Sequence, residues 1–213
     1  MLDDLTAGDV IIKGAYSSVN YKDALAGSGQ GRILRQYPLV GGIDVAGIVV
    51  DTKTDKFNVG DNVLITGAGH SESYDSGYAE YVRAPHHCII PLPENLTMEQ
   101  AMVMGTPALT AALALHRMEQ NGQTSQLGPI VITGASGGVG QLAIDLFSAQ
   151  DYEVIAVSRK SYLRSHLTAL GADPGHHART VNHPTTPIRK GSLGWCCRHR
   201  WRGAAGRAMQ NNT

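Results

Sequence analysis

The chain of 213 residues is poor in several things, and each shortage narrows what it can be. Cysteine is scarce: Cys88, Cys196 and Cys197 are an odd, sparse set with neither a disulfide framework nor a paired zinc-ligand spacing. Net charge is zero, so no global basic excess points to nucleic acid or an anionic membrane. No apolar run is long enough to span a bilayer. The opening MLDDLTAGDV lacks the basic and apolar segments of a secretory signal, so the expected location is cytoplasmic. Aromatics are few, at 6%, while an apolar content of 42% is ordinary for a globular fold.

What is abundant is glycine, 25 residues, and its placement is informative. Ile130, Val131 and Ile132 form a β-branched run that meets Gly134-Ala135-Ser136-Gly137-Gly138-Val139-Gly140. An apolar-periodic helix follows through Leu142, Ala143, Leu146 and Phe147, then a second strand over Val154–Val157. Strand, glycine turn, helix and strand make the first half of a dinucleotide-binding fold. The turn has a physical logic. A diphosphate must approach the backbone closely, which glycine permits, and the unpaired N–H groups that start a helix suit an anion. Gly134, Ser136, Gly137, Gly138, Val139 and Gly140 are therefore the candidate cofactor cradle. An ordinary βα turn is the plain alternative. The second strand ends in Ser158, Arg159 and Lys160 rather than in an acid. A hydroxyl and two cations suit a 2′-phosphate, so NADPH is expected over NADH; a solvated basic loop is the alternative.

Residues 1–95 read as short strands broken by turn signals: Val10–Lys13, Val45–Asp51, Asn62–Thr66, Ala79–Arg83 and Cys88–Pro91. Such spacing suggests a partly open β-barrel. Thr97 with Gln100 has the pattern of a capping box, starting a helix over Met98–Met104. A second helix is expected from Pro107, a favoured first-turn residue, to Met118. His70, His86 and His87 fall in expected loops and read as surface histidines.

Six strings recur together in one order. They are Ser18-Val19-Asn20-Tyr21-Lys22-Asp23, Pro38-Leu39-Val40-Gly41-Gly42-Ile43-Asp44-Val45-Ala46-Gly47, Val59-Gly60-Asp61-Asn62-Val63, Gly77-Tyr78-Ala79-Glu80-Tyr81, Gly105-Thr106 and the glycine turn. Together they resemble the medium-chain dehydrogenase/reductase superfamily, in particular its zinc-free quinone oxidoreductase branch and the acryloyl-CoA reductase-like subgroup. The resemblance covers roughly residues 8–172. It implies an α/β protein in which a GroES-like β-barrel catalytic domain (1–95, starting short) is joined by linking helices (96–122) to a partial, doubly wound Rossmann domain (123–172). It also implies NADPH between the domains, hydride transfer to an activated C=C such as an enoyl thioester or to a quinone, and a homodimer. Zinc-dependent relatives place a Cys ligand and a His-Glu pair where this chain has Asn20-Tyr21-Lys22-Asp23 and Gly42-Ile43-Asp44. Asp44 alone is poor support for a tetrahedral metal, so none is expected. A substrate carbonyl must then be polarised by hydrogen bonds.

The resemblance places Asn20 and Tyr21 beside nicotinamide and substrate. Tyr21 reads either as a donor to the reduced product or as packing. Asp23 reads as catalytic or as the partner of Lys22 in a structural ion pair, and Asp44 as a group satisfying turn N–H donors. Thr106 and Thr110 are expected to contact the cofactor. A non-catalytic protein that only binds NADPH is the rival function.

After Ala172 the character changes. Both tryptophans and two of the three cysteines lie in residues 173–213, acid almost disappears after Asp173, and apolar periodicity is lost. This segment reads as an aberrant or disordered basic tail, unable to supply further strands of a doubly wound sheet. A nucleic-acid or membrane arm, a metal site using His176, His177, His183, Cys196, Cys197 and His199, and translation in a shifted frame compete. The codons favour the third. Shifted by one base, Trp195-Cys196 and Trp201-Arg202 each force glycine, Cys196-Cys197 and Cys197-Arg198 each permit only Ala or Val, and allowed choices spell WAGAVDTVGG across Leu193–Gly203. That string resembles the family's next Rossmann strand. A chain so altered is expected to be poorly soluble, with weak turnover or none.

Overall fold

The computed structural model describes residues 5–175 and the pair Cys196–Cys197. The readings that concern residues 176–195 and 198–213, among them the His/Cys metal site, lie outside the described residues. The chain divides into two compact units, Met1–Leu109 and Thr110–Thr213.

The first unit is built on an antiparallel sheet of five strands, β1 (Val10–Ser17), β2 (Asp44–Thr52), β3 (Asn62–Thr66), β4 (Tyr81–Ala84) and β5 (Ile90–Pro91), in the order β4-β1-β2-β3-β5. Alternation decides which face is inside: Val10 and Ile12 of β1, Val45 and Val49 of β2, Val63 and Ile65 of β3, and Val82 and Ala84 of β4 pack with Phe57 and Ile89 into one core. β1 and β2 pair through Gly14 and Gly47, where a Cβ on Gly47 would meet the Lys13 carbonyl and Ile12. Each expected strand has a counterpart, with β1 running four residues further, β4 starting only at Tyr81 rather than Ala79, and β5 shortened to Ile90–Pro91 because His86–Cys88 form a 3-10 turn. The short helix α1 (Tyr21–Gly27), which was not among the expected elements, is held at its start by Asp23, whose carboxylate accepts the Asn20 N–H at 2.9 Å.

α2 (Met98–Gln120) carries the chain from the first unit into the second. Thr97 and Gln100 form the expected capping box: the Thr97 N–H donates to Gln100 Oε1 at 3.0 Å and the Gln100 N–H to Thr97 Oγ1 at 3.1 Å. α2 is two helices across a kink at Gly105, whose φ of 46° lies outside helical space, and Pro107 starts the second part.

The second unit has a parallel sheet, β7-β6-β8, of β6 (Ile130–Thr133), β7 (Val154–Val157) and β8 (Cys196–Cys197). α3 (Gly138–Ser148) connects β6 to β7, and α4 (Arg164–Ala169) follows. Ile130, Ile132, Ile144, Phe147, Val154 and Leu167 are buried together, and Phe147 meets Tyr152 edge-on at 5.5 Å. Cys196 and Cys197 form this two-residue strand, in register with Val131 and Ile132. The parallel neighbour on the side of β6 away from β7 is what a doubly wound sheet requires at its switch point.

Candidate functional site

In the first unit the site residues converge on Asp44, which opens β2 and is fully buried. Its Oδ2 accepts hydrogen bonds from Ser18 Oγ at 2.6 Å, Asn20 Nδ2 at 2.8 Å and the Thr106 N–H at 3.0 Å, and its Oδ1 accepts one from Thr106 Oγ1 at 2.5 Å. A buried carboxylate is costly unless such donors surround it. Turn N–H donors are thus the smaller part of what Asp44 satisfies; three side chains do most of it. The kink in α2 exists to allow this contact: a Cβ on Gly105 would sit 2.6 Å from Asp44 Oδ2, and φ there is left-handed. Ser18 was not among the sequence candidates. Its signal was available, because Ser18 and Asn20 are two apart in an extended segment and share a face, while Val19 between them is 85% exposed.

Asp23 is also buried, and the sequence reading of it as a partner of Lys22 is corrected. Its two oxygens take the N–H groups of Asn20 and, at 3.0 Å, Ile43, whereas Lys22 pairs with Glu72, a residue Arg35 also reaches. Helix geometry explains the difference: Lys22 and Asp23 are adjacent and point apart. The phenol at this cluster is Tyr78, not Tyr21. The Tyr78 ring covers Gly42, where a Cβ would meet ring atoms at 2.6 Å, and its hydroxyl donates to the Ser18 carbonyl at 3.2 Å. Burial, and then the negative charges of Asp23 and Asp44, push the Tyr78 phenol up to about 12. Tyr21, the first residue of α1, is 79% exposed, and its hydroxyl has no protein partner among the described residues.

The histidines need one correction. His86 is a half-exposed partner of Asp9, Nδ1 to Oδ2 at 2.5 Å, but His70 is fully buried. Its Nδ1 lies 2.9 Å from the Asp75 carbonyl, its ring leans on Tyr74, and burial lowers its pKa. Glycines on both sides of a tight loop fold the imidazole inward, which loop composition alone does not reveal.

In the second unit the glycine turn joins β6 to α3. Gly134 is left-handed, with φ 66°, and accepts the Gly137 N–H at 2.9 Å. Gly137 is the N-cap and offers no side chain, so the first N–H groups of α3 face outward uncapped. Gly140 is buried: a Cβ there would stand 2.7 Å from Ala135 Cα and closer still to the Gly134 carbonyl oxygen. By contrast, nothing lies within 4 Å of a Cβ on Gly134. The turn therefore combines a helix pressed on its strand with an open cradle, the two features a diphosphate needs. Ser136 sits within it, its carbonyl accepting from Gln141 Nε2 at 3.2 Å, and the Ala135 N–H bonds the Val157 carbonyl at 3.2 Å, tying the turn to β7. Past β7, the Ser158 hydroxyl accepts the Lys160 N–H at 3.1 Å, and Arg159 and Lys160 are exposed without an ion pair among the described residues. Thr106 belongs to the Asp44 cluster of the first unit, whereas Thr110 opens the second. Among the described residues no group of three or more His, Cys, Asp or Glu is placed to hold a metal ion. No described helix is long and apolar enough to cross a membrane.

Comparison with known proteins places the chain among similar oxidoreductases. Residues 6–94 match the alcohol dehydrogenase GroES-like domain family. The putative quinone oxidoreductase YhfP of Bacillus subtilis is 44% identical over 170 residues, which are 80% of this chain and 52% of the relative. Its crystal structure with NAD bound has a TM-score of 0.75 at 43% identity, covering 81% of this chain and 53% of that one. The probable acrylyl-CoA reductase AcuI of Escherichia coli is 42% identical over 168 residues, 79% of this chain and 52% of the relative. The Salmonella enterica yhdH oxidoreductase, crystallised with NADP, has a TM-score of 0.77 at 42% identity, covering 80% of this chain and 53% of that one. The chain thus spans about half the length of the curated relatives it matches.

Proposed function

We propose that this chain, which belongs to the medium-chain dehydrogenase/reductase superfamily and is similar to its quinone oxidoreductase and acrylyl-CoA reductase members, is an NADPH-dependent oxidoreductase that needs no zinc. The observation that carries the reading is the Gly134–Gly140 cradle, open above Gly134 and closed beneath Gly140, with Arg159 and Lys160 exposed at the end of β7.

The chemistry of the donors fits a dinucleotide. The uncapped N–H groups at the start of α3 hold its pyrophosphate, and the partial positive charge of the helix end favours the anion. Ser158, Arg159 and Lys160 hold the 2′-phosphate. The bound nicotinamide supplies a hydride, which the β-carbon of an α,β-unsaturated acyl thioester or a quinone carbon accepts. The residues nearest the expected zinc-ligand positions are committed elsewhere: Asp44 to Ser18, Asn20 and Thr106, and Asp23 to two backbone N–H groups. The Tyr78 hydroxyl is engaged by the Ser18 carbonyl and by Asp23. Tyr21 keeps its hydroxyl for a ligand, and it is the side chain we assign to donate to the oxyanion of the reduced acceptor, with water delivering the proton to carbon. Acryloyl-CoA is the first substrate to test, because one relative carries that activity in its name, and quinone is the second.

The test is a titration of the chain with NADPH and with NADH, followed by NADPH consumption with acryloyl-CoA and with a benzoquinone. Tighter binding of NADPH, with weak turnover of one acceptor or none, is the expected result for a chain with so altered a tail. Equal affinity for the two cofactors overturns the assignment of Arg159 and Lys160. Failure to bind either cofactor overturns the oxidoreductase reading, and brisk turnover overturns the expected impairment.

A further inference from the structure

We infer that Gln141 is a positioning residue that sets where α3 begins: its side-chain amide occupies the Ser136 carbonyl, keeps the helix from winding back over Gly137, and so leaves the N–H groups of Gly138, Val139 and Gly140 open to a diphosphate. His166 of α4 holds that amide in place. The diphosphate as ligand rests on the proposed NADPH-dependent function; the hold on the turn does not.

The orientation of the amide follows from counting protons. The Ser136 carbonyl only accepts, so the atom of Gln141 that lies 3.2 Å from it is Nε2. Oε1 then faces His166, whose Nε2 stands 2.6 Å away and carries the proton of that bond. Turned over, the amide would set oxygen against oxygen at Ser136. Helical side chains lean back toward the N-terminus, which lets Gln141 reach the residue five before it. All of these residues belong to the second unit.

The Ser136 carbonyl matters because of where it sits. An α-helical N–H bonds the carbonyl four residues back, and for Gly140 that carbonyl is Ser136. The first such bond of α3 is instead made by the Gln141 N–H, to the Gly137 carbonyl at 3.0 Å. Gly137 keeps the chain extended, with ψ 167°, and its own N–H turns back to the Gly134 carbonyl at 2.9 Å. Nothing steric holds a glycine there, since it adopts the helical conformation as well. Were Gly137 helical, α3 would gain a residue and Gly140 would give its N–H to Ser136. A side-chain donor already on that carbonyl competes with this bond, as local side-chain donors do at helix ends. The N–H groups of Gly138, Val139 and Gly140 stay without a protein partner among the described residues, the condition an anion needs. The contact also ties the turn to the basic loop, because only the single 3-10 turn Ser161–Leu163 separates Lys160 from α4.

The turn is read first, on the chain without cofactor, by NMR. In the wild-type chain the Gly137 α-protons should give the stronger NOE to the Gly138 N–H, as ψ 167° requires. In Gln141→Leu the amide–amide NOE between Gly137 and Gly138 should become the stronger, and His166→Leu, a change at an exposed side chain, should move the same way. An unchanged pattern in Gln141→Leu overturns the hold on the turn, and an unchanged pattern in His166→Leu overturns the part given to His166; the second variant yields its answer even if the first fails to fold. The ligand is read by titration with NADPH and with adenosine 2′-monophosphate, which carries the 2′-phosphate but no diphosphate. Gln141→Leu should weaken NADPH binding roughly 5- to 20-fold and leave the monophosphate within about twofold. Equal losses for the two ligands, or no loss, overturn the role at the diphosphate, because general loosening of the unit would weaken both. The double variant should bind NADPH no more weakly than Gln141→Leu alone; additive losses overturn the assignment of His166 as acting through Gln141. Failure of the wild-type chain to bind NADPH overturns the ligand role together with the proposed function, while the NOE pattern still judges the turn.

Discussion

Gly140→Ala puts the cofactor cradle under a direct strain. The added methyl would stand 2.7 Å from Ala135 Cα and 3.0 Å from Ala135 C, with the Gly134 carbonyl oxygen nearer still. All three are backbone atoms, so no side-chain rotation relieves the overlap. Restoring carbon–carbon contact distances needs α3 to withdraw from the turn by about 1 Å. Overpacking of this kind costs about 1–3 kcal/mol, and the backbone contacts put it at the upper end. Alanine in place of glycine inside a helix returns about 1 kcal/mol. The net loss is therefore about 1–2 kcal/mol, equivalent to a fall of roughly 2–8 °C in Tm for a domain of this size. Because the moved atoms include the first N–H groups of α3, NADPH affinity should fall by about tenfold or more, for about 1.4 kcal/mol of lost anion contact. Two neighbours calibrate the result. Gly137→Ala meets only the Gly134 carbonyl, at 3.3 Å, and should be nearly silent. Gly134→Ala meets no atom but must hold φ at 66°, a cost of about 1–2 kcal/mol. Thermal melts by circular dichroism and a fluorescence titration with NADPH give both quantities. A Gly140→Ala protein that melts at or above the wild-type temperature and binds NADPH unchanged would refute the seating of α3 on its turn.

The other predictions are shorter. Burial disfavours the charged form of His70, so its folded pKa lies below the unfolded value of about 6.5; stability should be full above that pH and fall as pH drops below it, because the unfolded chain binds the extra proton. Thermal melts between pH 7.5 and 5.5 should show the loss, and His70→Gln should reduce the slope. Arg159→Ala with Lys160→Ala should weaken NADPH binding while leaving NADH within about twofold, a cost of less than about 0.5 kcal/mol, read by paired titrations. Phe147→Ala empties a fully buried site against Tyr152 and should cost about 3–5 kcal/mol in denaturant unfolding of the second unit. Resequencing the coding DNA across codons 170–176 should find an inserted or deleted base; an unbroken frame would remove the shifted-frame reading of the tail.

Short-range pattern made much of this molecule legible. β3 and β7 fall where alternation places them, Thr97 and Gln100 cap α2 as their spacing implies, and the glycine turn leads from β6 into α3 as its string implies, because each depends on neighbours within a few residues. Ser158, Arg159 and Lys160 belong to the same class, since the end of a strand is a sequence position. The codon arithmetic of the tail was equally a property of the sequence.

The rest required folding. Lys22 has Asp23 beside it and pairs with Glu72, fifty residues away. His70 sits in a loop of glycine and serine and is nonetheless buried. Tyr78, not Tyr21, reaches the buried carboxylates because the bend before β4 lays its ring against Gly42. Above all, Asp44, an acid in an otherwise apolar run, gathers Ser18, Asn20 and Thr106 from two distant segments of chain. Residue type and spacing dictated which elements form and where a diphosphate can approach. Which donors surround a buried charge was decided by long-range packing, because desolvation acts on whatever the fold brings together and not on what the chain places side by side.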